Sequence, residues 1–268
     1  GNEYKTVKIG EQIWMAENLK VTRYNNGDSI NKITDGITWA SNTTTGAYCY
    51  YKNDINNLNI YGALYNWYTV KDKRNVCPDG WHVPNDNDWD LLVNSIGDYK
   101  VAGGKMKVAG TDFWITPNKG ATNESGFNAY PAGFRFYEKG QYYCLGQKCY
   151  WWSTSETYNM HGWYRNLNYD TTYCIRCSNP GNTGFSIRCL INTKNDIQII
   201  KDKEYFNIFP NPANDIITIT TAQAINTIEL YNILGEKVES YKGAIQTIDI
   251  SNLTKGIYFI RINTINNS

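Results

Sequence analysis

The cysteines of this chain are confined to one part of it, which divides the sequence before any other pattern is considered. All seven lie within the first 189 of the 268 residues, at Cys49, Cys77, Cys144, Cys149, Cys174, Cys177 and Cys189. Cys174 and Cys177 form the single C-x-x-C pair, and both histidines, His82 and His161, are distant from it in sequence. A zinc site would need paired knuckles or Cys/His spacing, so the disulfide framework of an exported protein is favoured. Because the number is odd, one thiol is left over or pairs outside the chain.

The aromatic content is unusually high, with 22 Tyr, 9 Trp and 8 Phe making up 15% of the residues. Two explanations stay open: these rings recognise a ligand by stacking and hydrogen bonding, or they fill the core of a loop-rich fold. The formal net charge is only +1 and no basic block stands out. A nucleic acid or an anionic membrane is therefore not expected as a partner.

Targeting segments give little further information. No apolar run approaches the roughly 20 residues of a membrane helix, so no transmembrane segment is predicted. No signal peptide is visible at Gly1, and we expect that the N-terminus has been processed or trimmed.

The pattern of the chain changes near residue 190. Residues 1–190 are irregular and rich in aromatic residues and glycine, whereas residues 191–205 are polar and predict a linker. In residues 206–268, isoleucine alternates with polar residues, which predicts a small all-β antiparallel sandwich. Its strands are expected at Ile216–Thr220, Thr227–Tyr231, Thr247–Ile250 and Tyr258–Ile262, with hairpin-type turns at Leu234–Glu236 and Lys255–Gly256.

Four motifs follow one another in this last region: Phe209–Ala213 (FPNPA), Ile228–Glu236 (IELYNILGE), Ile248–Leu253 (IDISNL) and Gly256–Ile262 (GIYFIRI). Together they resemble the type A C-terminal sorting domain of cargo for the type 9 secretion system of Bacteroidetes. The resemblance implies a secreted, cell-surface protein associated with the outer membrane. It implies two partners for residues 206–268, the type 9 translocon and its outer-membrane shuttle protein. The expected sorting-signal residues are Pro210, Asn211, Pro212, Gly235, Gly256 and Tyr258.

Local patterns in the first region predict strands at residues 7–9 and 13–15 and a short amphipathic helix within Tyr61–Tyr68. A second helix is predicted from Asn85 to about Ile96. Its Asn/Asp-rich beginning fits a capping box between Asn85 and Asp88, with acidic groups in the first turn. A calcium loop is the alternative, but the glycine and the distal glutamate of an EF-hand are missing.

Seven further motifs span almost all of residues 3–190. They are Ile13–Leu19 (IWMAENL), Tyr61–Trp67 (YGALYNW), Cys77–Pro84 (CPDGWHVP), Gly126–Arg135 (GFNAYPAGFR), Tyr150–Glu156 (YWWSTSE), Gly162–Leu167 (GWYRNL) and Gly184–Cys189 (GFSIRC). They resemble the Fibrobacter succinogenes major paralogous domain. The resemblance implies an α+β C-type-lectin-like domain with long loops and few helices, related to the formylglycine-generating enzymes. The expected domains are therefore 1–190, the linker 191–205, and 206–268.

With this arrangement, the cysteines can be assigned. Cys77 and Cys189 are expected to form a long-range bridge that closes about 110 residues, which the chain-entropy model values at about 4–5 kcal/mol. Cys144 with Cys149, and Cys174 with Cys177, are expected to form local bridges, which leaves Cys49 as the odd thiol. A redox role for the C-x-x-C pair is the alternative.

Three functions remain open. The first is a ligand-binding or adhesion module for a glycan or a protein, built from the loops of the second half. The expected ligand-binding residues are Trp114, Arg135, Tyr137, Trp152, Trp163 and Arg165, out of a wider set that also holds Phe134, Tyr142, Tyr143, Trp151, Tyr164 and Tyr169. The arginines would serve as polar anchors, although about half of the rings are expected in the core.

The second function is a non-catalytic accessory subunit of an outer-membrane or translocon complex, and the third is a formylglycine-generating type of enzyme. No catalytic triad, phosphate loop or histidine-rich cluster is present, so we expect no enzyme, no catalytic residue, no cofactor and no metal. Ser29 and Thr171 lie in Asp-Ser/Thr-X tripeptides that resemble O-glycosylation sites of Bacteroidetes.

Overall fold

The computed structural model describes residues 2–158, 160–191, 207–221, 224–243 and 245–264. The chain divides into two compact units, Gly1–Asp196 and Ile197–Ser268. Most of the predicted linker, residues 192–205, lies outside the described residues.

The first unit is mostly β, with a few short helices. Its strands are β1 (Thr6–Ile9), β2 (Gln12–Met15), β3 (Asn31–Lys32), β4 (Ala47–Cys49), β5 (Leu64–Tyr65), β6 (Trp81–His82), β7 (Ala132–Arg135), β8 (Tyr142–Leu145), β9 (Lys148–Glu156), β10 (His161–Asn168), β11 (Ile175–Pro180) and β12 (Leu190–Ile191). Its helices are α1 (Gly36–Ser41), α2 (Ile55–Tyr61), α3 (Trp67–Lys71), α4 (Asp86–Ser95) and α5 (Ala102–Met106), with a 3-10 turn at Tyr51–Asn53. The predicted strands at residues 7–9 and 13–15 are confirmed as β1 and β2.

These strands form several small sheets, in the orders β1-β2-β12-β6, β3-β4-β5, β7-β8 and β11-β10-β9. The pair β3–β4 is parallel, and the other named pairs are antiparallel. Strand β12 lies between β2 and β6, with Leu190 opposite both Trp14 and His82. The beginning and the end of the unit therefore meet in one sheet, while the residues between them form the loops and the other sheets.

Strand β9 separates two hydrophobic cores. Cys149 and Trp151 point into one core, and Tyr150 and Trp152 point into the other. Because successive side chains of a strand point to opposite faces, a strand that is buried on both faces carries an unbroken apolar run. This is why both neighbouring tryptophans are fully buried.

Large rings fill the core on the Trp151 side of β9. The ring centroids of Trp14 and Trp89 are 4.8 Å apart, and Phe127 packs edge-on against Trp151 at 5.3 Å. Trp89 comes from α4, so these contacts fasten the helix to the sheets. Here the aromatic content serves packing, in tilted and edge-to-face arrangements that aromatic pairs prefer.

Two buried cations of this unit, Arg188 and Lys107, are held by neutral groups. Arg188 donates to the Asn18 Oδ1 atom at 2.8 Å and to the Phe127 carbonyl, and its guanidinium lies over the Phe127 ring. The Lys107 ammonium donates to three backbone carbonyls, those of Lys119, Asn168 and Thr171, each at 2.9 Å. Carbonyl dipoles and ring faces thus replace the water that these charges lose on burial.

Helix α4 begins as predicted. The Asn85 side chain accepts a hydrogen bond from the Asp88 amide, and the Asp88 carboxylate accepts one from the Asn85 amide. Both bonds of the capping box are present, with Asp86 and Asp88 in the first turn. The Asn/Asp run is therefore explained by helix initiation.

The short helix predicted within Tyr61–Tyr68 is wrong in its position. Leu64 and Tyr65 form β5, paired with β4, and the helix α3 begins at Trp67. Asn66 explains the boundary, because its side chain accepts from the Thr69 amide and caps α3. The helical spacing of the apolar residues was accidental, since tertiary pairing decides the conformation of short segments.

The second unit is a small antiparallel β-sandwich, as predicted. Its strands are β13 (Asn207–Phe209), β14 (Ile216–Thr220), β15 (Ile225–Tyr231), β16 (Lys237–Lys242), β17 (Thr247–Asp249) and β18 (Phe259–Thr264). They form two three-stranded sheets, β13-β14-β17 and β16-β15-β18. Isoleucines 217, 219 and 248 of one sheet share a core with Ile228 and Leu230 of the other.

Two details of this unit differ from the prediction. Strand β16 was missed, because its sequence alternates only weakly and most of its side chains are exposed. The residues Lys255–Gly256 form no hairpin, since they connect β17 in one sheet to β18 in the other. The turn at Gly235 does connect the paired strands β15 and β16, and its positive φ of 79° is one that glycine adopts without strain.

Candidate functional site

A group of aromatic side chains stays partly open to solvent on the first unit. We call this group the aromatic strip. It consists of five partly or largely exposed rings, Phe134, Phe136, Tyr137, Tyr143 and Tyr164, together with the buried ring of Tyr150, which is 8% exposed and joins Phe134 to Tyr164.

One end of the aromatic strip lies on the β7–β8 hairpin. The ring of Tyr137 lies 4.6 Å from that of Phe136, which lies 5.9 Å from the ring of Tyr143. Tyr143 in turn lies 5.7 Å from Phe134, its cross-strand partner. Tyr143 is 44% exposed, so this end of the strip reaches well into solvent.

The strip continues onto the β9–β10 pair. The Phe134 ring lies 5.0 Å from that of Tyr150, and Tyr150 lies 5.7 Å from Tyr164 on β10. The buried Phe185 supports this end, because its ring stacks on Tyr150 at 4.8 Å with an interplanar angle of 5°. The strip is therefore an unbroken series of ring contacts, supported at this end by a buried ring.

Polar groups accompany the rings at the β9–β10 end. Asn166 lies opposite Tyr150 in the β9–β10 ladder and follows Tyr164 by two residues, so all three side chains point to the same face. The Tyr164 hydroxyl lies within hydrogen-bond reach of the Cys177 thiol. Burial raises the pKa of the Tyr150 and Tyr164 hydroxyls, so both remain protonated donors at neutral pH.

Trp114 and Trp152 do not belong to an exposed surface, although both were predicted to bind a ligand. Both are buried. The indole N–H of Trp114 donates to the Ala129 carbonyl, and that of Trp152 donates to the Tyr65 carbonyl. These rings are core residues whose polar edge is satisfied by the backbone.

The two predicted arginine anchors are also wrong. Arg135 is buried, and its guanidinium donates to the carbonyls of residues 33–35 and of Gly140. Arg165 is buried and forms ion pairs with Asp86 at 2.8 Å and Asp90 at 2.7 Å, which tie β10 to α4. Both arginines connect parts of the fold and are not available to a ligand.

Tyr137 and Trp163 are the two predicted ligand residues that keep contact with solvent. Tyr137 lies at one end of the aromatic strip. Trp163 precedes Tyr164 and therefore points to the opposite face of β10, where the Arg176 guanidinium lies 3.3 Å from its ring centroid. The structure thus separates these residues. The sequence prediction missed Phe136, Tyr150 and Asn166, for which strand alternation was the available signal.

The long-range disulfide is confirmed. Cys77 and Cys189 are bonded across a sequence separation of 112 residues, and both are buried in one core. Cys49 is free and buried, as expected for the odd thiol.

The predicted local bridges are absent, because Cys144, Cys149, Cys174 and Cys177 are all free. Cys149 points into a core from β9, whereas Cys144 lies on β8 with a positive φ of 64°. Cys174 is buried and Cys177 is exposed on β11. A separation of three residues in extended chain turns the two thiols of the C-x-x-C pair to opposite faces, so this pair does not act as a unit.

The two predicted glycosylation sites differ in exposure. Ser29 is exposed beside the turn that Gly27 forms, and its modification stays a prediction. The Thr171 hydroxyl oxygen is buried, so the folded unit does not present it for O-glycosylation.

Metal binding was not expected from the sequence. Among the described residues, no group of three or more His, Cys, Asp or Glu side chains is arranged to hold a metal ion. Nor does any helix among them combine the length and apolar character that crossing a membrane requires.

In the second unit, five of the six predicted sorting residues line one groove with a volume of about 620 Å³. These five are Pro210, Asn211, Pro212, Gly256 and Tyr258. Core residues Ile217 and Leu230 also line the groove, so it opens toward the interior of the sandwich. Gly235 lies elsewhere, in the β15–β16 turn.

Fold and surface together define the class of protein: a β-rich, disulfide-closed domain with a solvent-open aromatic strip, followed in the chain by a small β-sandwich. Residues 7–190 match the Fibrobacter succinogenes major domain, and the chain belongs to this family. Residues 207–268 match the secretion system C-terminal sorting domain. No curated protein and no solved structure gives a significant match to the chain.

The sorting domain supports export by the type 9 secretion system as a secreted protein, with attachment to the cell surface. The export route predicted from the four C-terminal motifs is thereby confirmed.

Proposed function

We propose that this protein is a ligand-binding or adhesion module of the cell surface, and that its first unit binds a ligand on the aromatic strip. The strip is the observation that carries the proposal. Most large rings of the unit are buried, but five of the six rings of the strip keep partial exposure, and the buried Tyr150 connects them in one series of ring contacts. Exposed contiguous apolar surface on a soluble domain commonly marks a binding site.

We also propose that the first unit has a C-type-lectin-like fold. The proposal is supported by the pairing of β12 with β2, which brings the two ends of the unit together. It is further supported by the long irregular segments between the short strands, of which residues 107–131 are the largest example.

The decisive variant for ligand binding is Tyr143→Ala. A glycan array and a pull-down from cell-surface extract, both with the full chain, would identify the ligand. Tyr143→Ala should then weaken its binding about tenfold or more, since loss of one stacked ring removes roughly 1–3 kcal/mol.

Tyr158→Ala is the matched control for that experiment. Tyr158 is 69% exposed at the tip of the β9–β10 hairpin and does not belong to the strip. Equal binding by the two variants would contradict a ligand site on the aromatic strip.

An accessory subunit of an outer-membrane or translocon complex is the second candidate. Exposed apolar side chains of the sorting unit favour it: Ile233, Leu234, Ile257 and Phe259 are all largely exposed, and the pairing of Tyr231 with Phe259 brings the last of them next to β15. Stoichiometric co-purification of one outer-membrane protein, with no ligand for the first unit, would support this candidate instead.

We propose that the translocon and its outer-membrane shuttle protein recognise the groove of the sorting unit, which would associate the protein with the outer membrane. Support comes from the convergence of Pro210, Pro212 and Tyr258 on this groove. Convergent apolar side chains around a concave surface are typical of peptide and protein recognition.

We further propose that the protein is not an enzyme. Formylglycine-generating chemistry depends on a reactive cysteine pair, and Cys174 and Cys177 point to opposite faces of the chain. Burial also raises the pKa of the Cys174 thiol to about 12, which disfavours the nucleophilic thiolate at neutral pH.

A further inference from the structure

We infer that the β9–β10 end of the aromatic strip is a subsite for a neutral sugar unit of a glycan, with Asn166 as its hydrogen-bonding anchor. The inference rests on the proposed ligand binding by the strip and specifies its ligand class. The inference is based on the environment of Asn166, a residue of the Gly162–Leu167 motif that was not among the predicted ligand residues.

Asn166 is only 8% exposed, yet its carboxamide has no hydrogen-bond partner within the part of the chain that the structure describes. It does not belong to the side chains whose unpaired polar atoms are shut off from water, so its amide still reaches solvent. A nearly buried amide that is exposed only at its tip leaves one acceptor and two donor positions for an incoming group.

The neighbours of Asn166 in the β9–β10–β11 sheet are defined by the strand pairing. Tyr150 lies opposite it on β9, and Ile175 lies opposite it on β11. Tyr164 lies on the same strand and face, two residues earlier. The partly exposed ring of Tyr164 and the exposed side chain of Ile175 are thus the groups beside the amide that a ligand can reach, while the Tyr150 ring is buried against Phe185.

This combination matches the chemistry of a sugar. The C–H face of a pyranose ring packs on an aromatic ring, while adjacent hydroxyl groups take paired hydrogen bonds from an amide. The Tyr150 and Tyr164 hydroxyls add further groups that donate and accept. A purely aliphatic ligand would leave the Asn166 amide unpaired, which is unfavourable by roughly 1–3 kcal/mol.

The charge of the site favours a neutral ligand. None of the side chains that form it, Tyr150, Tyr164, Asn166, Ile175 and Cys177, is a cation or a carboxylate. The nearby Arg176 points to the other face of β11, over Trp163. Lys148, two residues before Tyr150 on the same face of β9, is a cation at the edge of the site, so the comparison with an anionic polysaccharide measures how strongly the site prefers a neutral sugar.

The test is affinity electrophoresis of the full chain in gels that contain laminarin, dextran, mannan or xylan, with alginate as the anionic comparison. We expect retardation by at least one neutral polysaccharide and none by alginate. Asn166→Ala should raise the dissociation constant about tenfold, the equivalent of losing one to two hydrogen bonds. Asn87→Ala, which removes an exposed amide on α4, should leave it unchanged.

Folding is controlled with Asn166→Asp, which keeps the size of the side chain but removes both donors. A thermal unfolding midpoint close to that of the parent, together with weaker binding, would support the inference. Retention of full affinity by both Asn166 variants, or retardation by alginate alone, would overturn it.

The outcomes for the subsite and for the proposed function are distinct. If Tyr143→Ala abolishes binding to a neutral polysaccharide and the Asn166 variants do not, the strip binds ligand and the subsite is wrong. If no neutral polysaccharide retards the protein, the sugar subsite fails, and the pull-down decides whether the strip binds a protein instead. If a polysaccharide binds and neither substitution matters, both proposals fail.

Discussion

Buried lysine and arginine side chains are stabilised in this protein mainly by backbone carbonyl groups. Lys107 donates to three carbonyls, and Arg135 donates to four, at residues 33–35 and at Gly140. Each cation thereby connects segments that are far apart in sequence. Removal of one such side chain leaves several buried acceptors unpaired, which is the costly event in a low-dielectric interior.

We expect Lys107→Met to lower the free energy of unfolding by about 2–4 kcal/mol, because three buried carbonyls lose their donor. Urea unfolding at pH 7 measures the loss. The control is Lys105→Met, since the Lys105 ammonium is partly exposed and pairs with Glu124 at the surface. Its substitution should change stability by less than about 1 kcal/mol. Similar losses for the two variants would show that the carbonyl cage contributes little.

Lys107 also predicts the direction in which the stability of the protein changes with pH. Burial lowers the pKa of Lys107 to about 8, from 10.5 for a free lysine. Between these two pH values the unfolded chain binds one proton more than the folded chain, so this residue makes stability rise with pH. The difference in unfolding free energy between the parent and Lys107→Met should therefore increase from pH 7.5 to pH 10. If this difference in unfolding free energy stays constant or falls between pH 7.5 and pH 10, the lowered pKa of Lys107 is contradicted.

The ligand residues predicted from the sequence show that a sequence does not reveal the contact partners of a single side chain when those partners are distant in the chain. Arg135 follows an aromatic motif, which suggests a polar anchor beside stacking rings. Its actual partners are carbonyls of residues 33–35, about a hundred positions earlier in the chain. No feature of the sequence near Arg135 indicates that these distant carbonyls will surround its guanidinium. Tyr137, chosen as one of several loop aromatics, lies between β7 and β8 and keeps partial exposure.

At the scale of single elements, local sequence rules worked best where the partners are local. The capping box of α4 involves only Asn85 and Asp88, and it was predicted correctly. About half of the aromatic rings of the second half were expected in the core, and strand β9 places both Trp151 and Trp152 there. That both tryptophans are buried depends on packing against both faces, which strand propensity does not encode.

We expect Asn85→Ala to destabilise the protein by about 1 kcal/mol, because the first turn of α4 loses its side-chain acceptor. Thermal or urea unfolding provides the measurement. Asn87→Ala is the matched control, since Asn87 is an exposed residue inside the same helix, where alanine is the better helix former. Should the two variants be equally stable, the capping box would have no energetic role.

At the scale of the whole molecule, the division near residue 190 and the sandwich were predictable, because composition and alternation change together there. Which strands pair within each sheet was not predictable. The order β1-β2-β12-β6 joins strands from the two ends of a unit, and the register of such distant partners is set by packing. Of the three predicted disulfides, the long-range one, assigned from the arrangement that the family resemblance implies, forms, whereas the two local bridges suggested by close spacing do not.

We expect the double variant Cys77→Ser, Cys189→Ser to lose about 4–5 kcal/mol of stability, mainly because the unfolded chain regains the freedom of a long loop. Both positions are buried, so the polar hydroxyls add to the loss. Urea unfolding without reductant measures it. Cys144→Ser, which removes a free and partly exposed thiol, should have a small effect. A small change in the double variant would mean that the bond contributes little.

Export should depend on the groove of the sorting unit. We expect Phe259→Glu to reduce the amount of protein on intact cells severalfold, as measured by surface protease treatment, because a charge enters an apolar recognition surface. Val238→Glu on β16 is the control, since Val238 is exposed but does not line the groove. Removal of residues 206–268 should abolish surface display. Normal display of Phe259→Glu would exclude the groove as the recognition surface.

The bond between Cys77 and Cys189 also determines what happens to the first unit when an extracellular protease cleaves its backbone. It encloses the exposed hairpin tip that holds Tyr158 and Met160, as well as the long segment around residues 107–131. A single cut anywhere in this interval breaks the backbone and releases no fragment, because both pieces stay covalently joined and share the same cores. The unit can therefore be nicked in place and remain one particle on the cell surface.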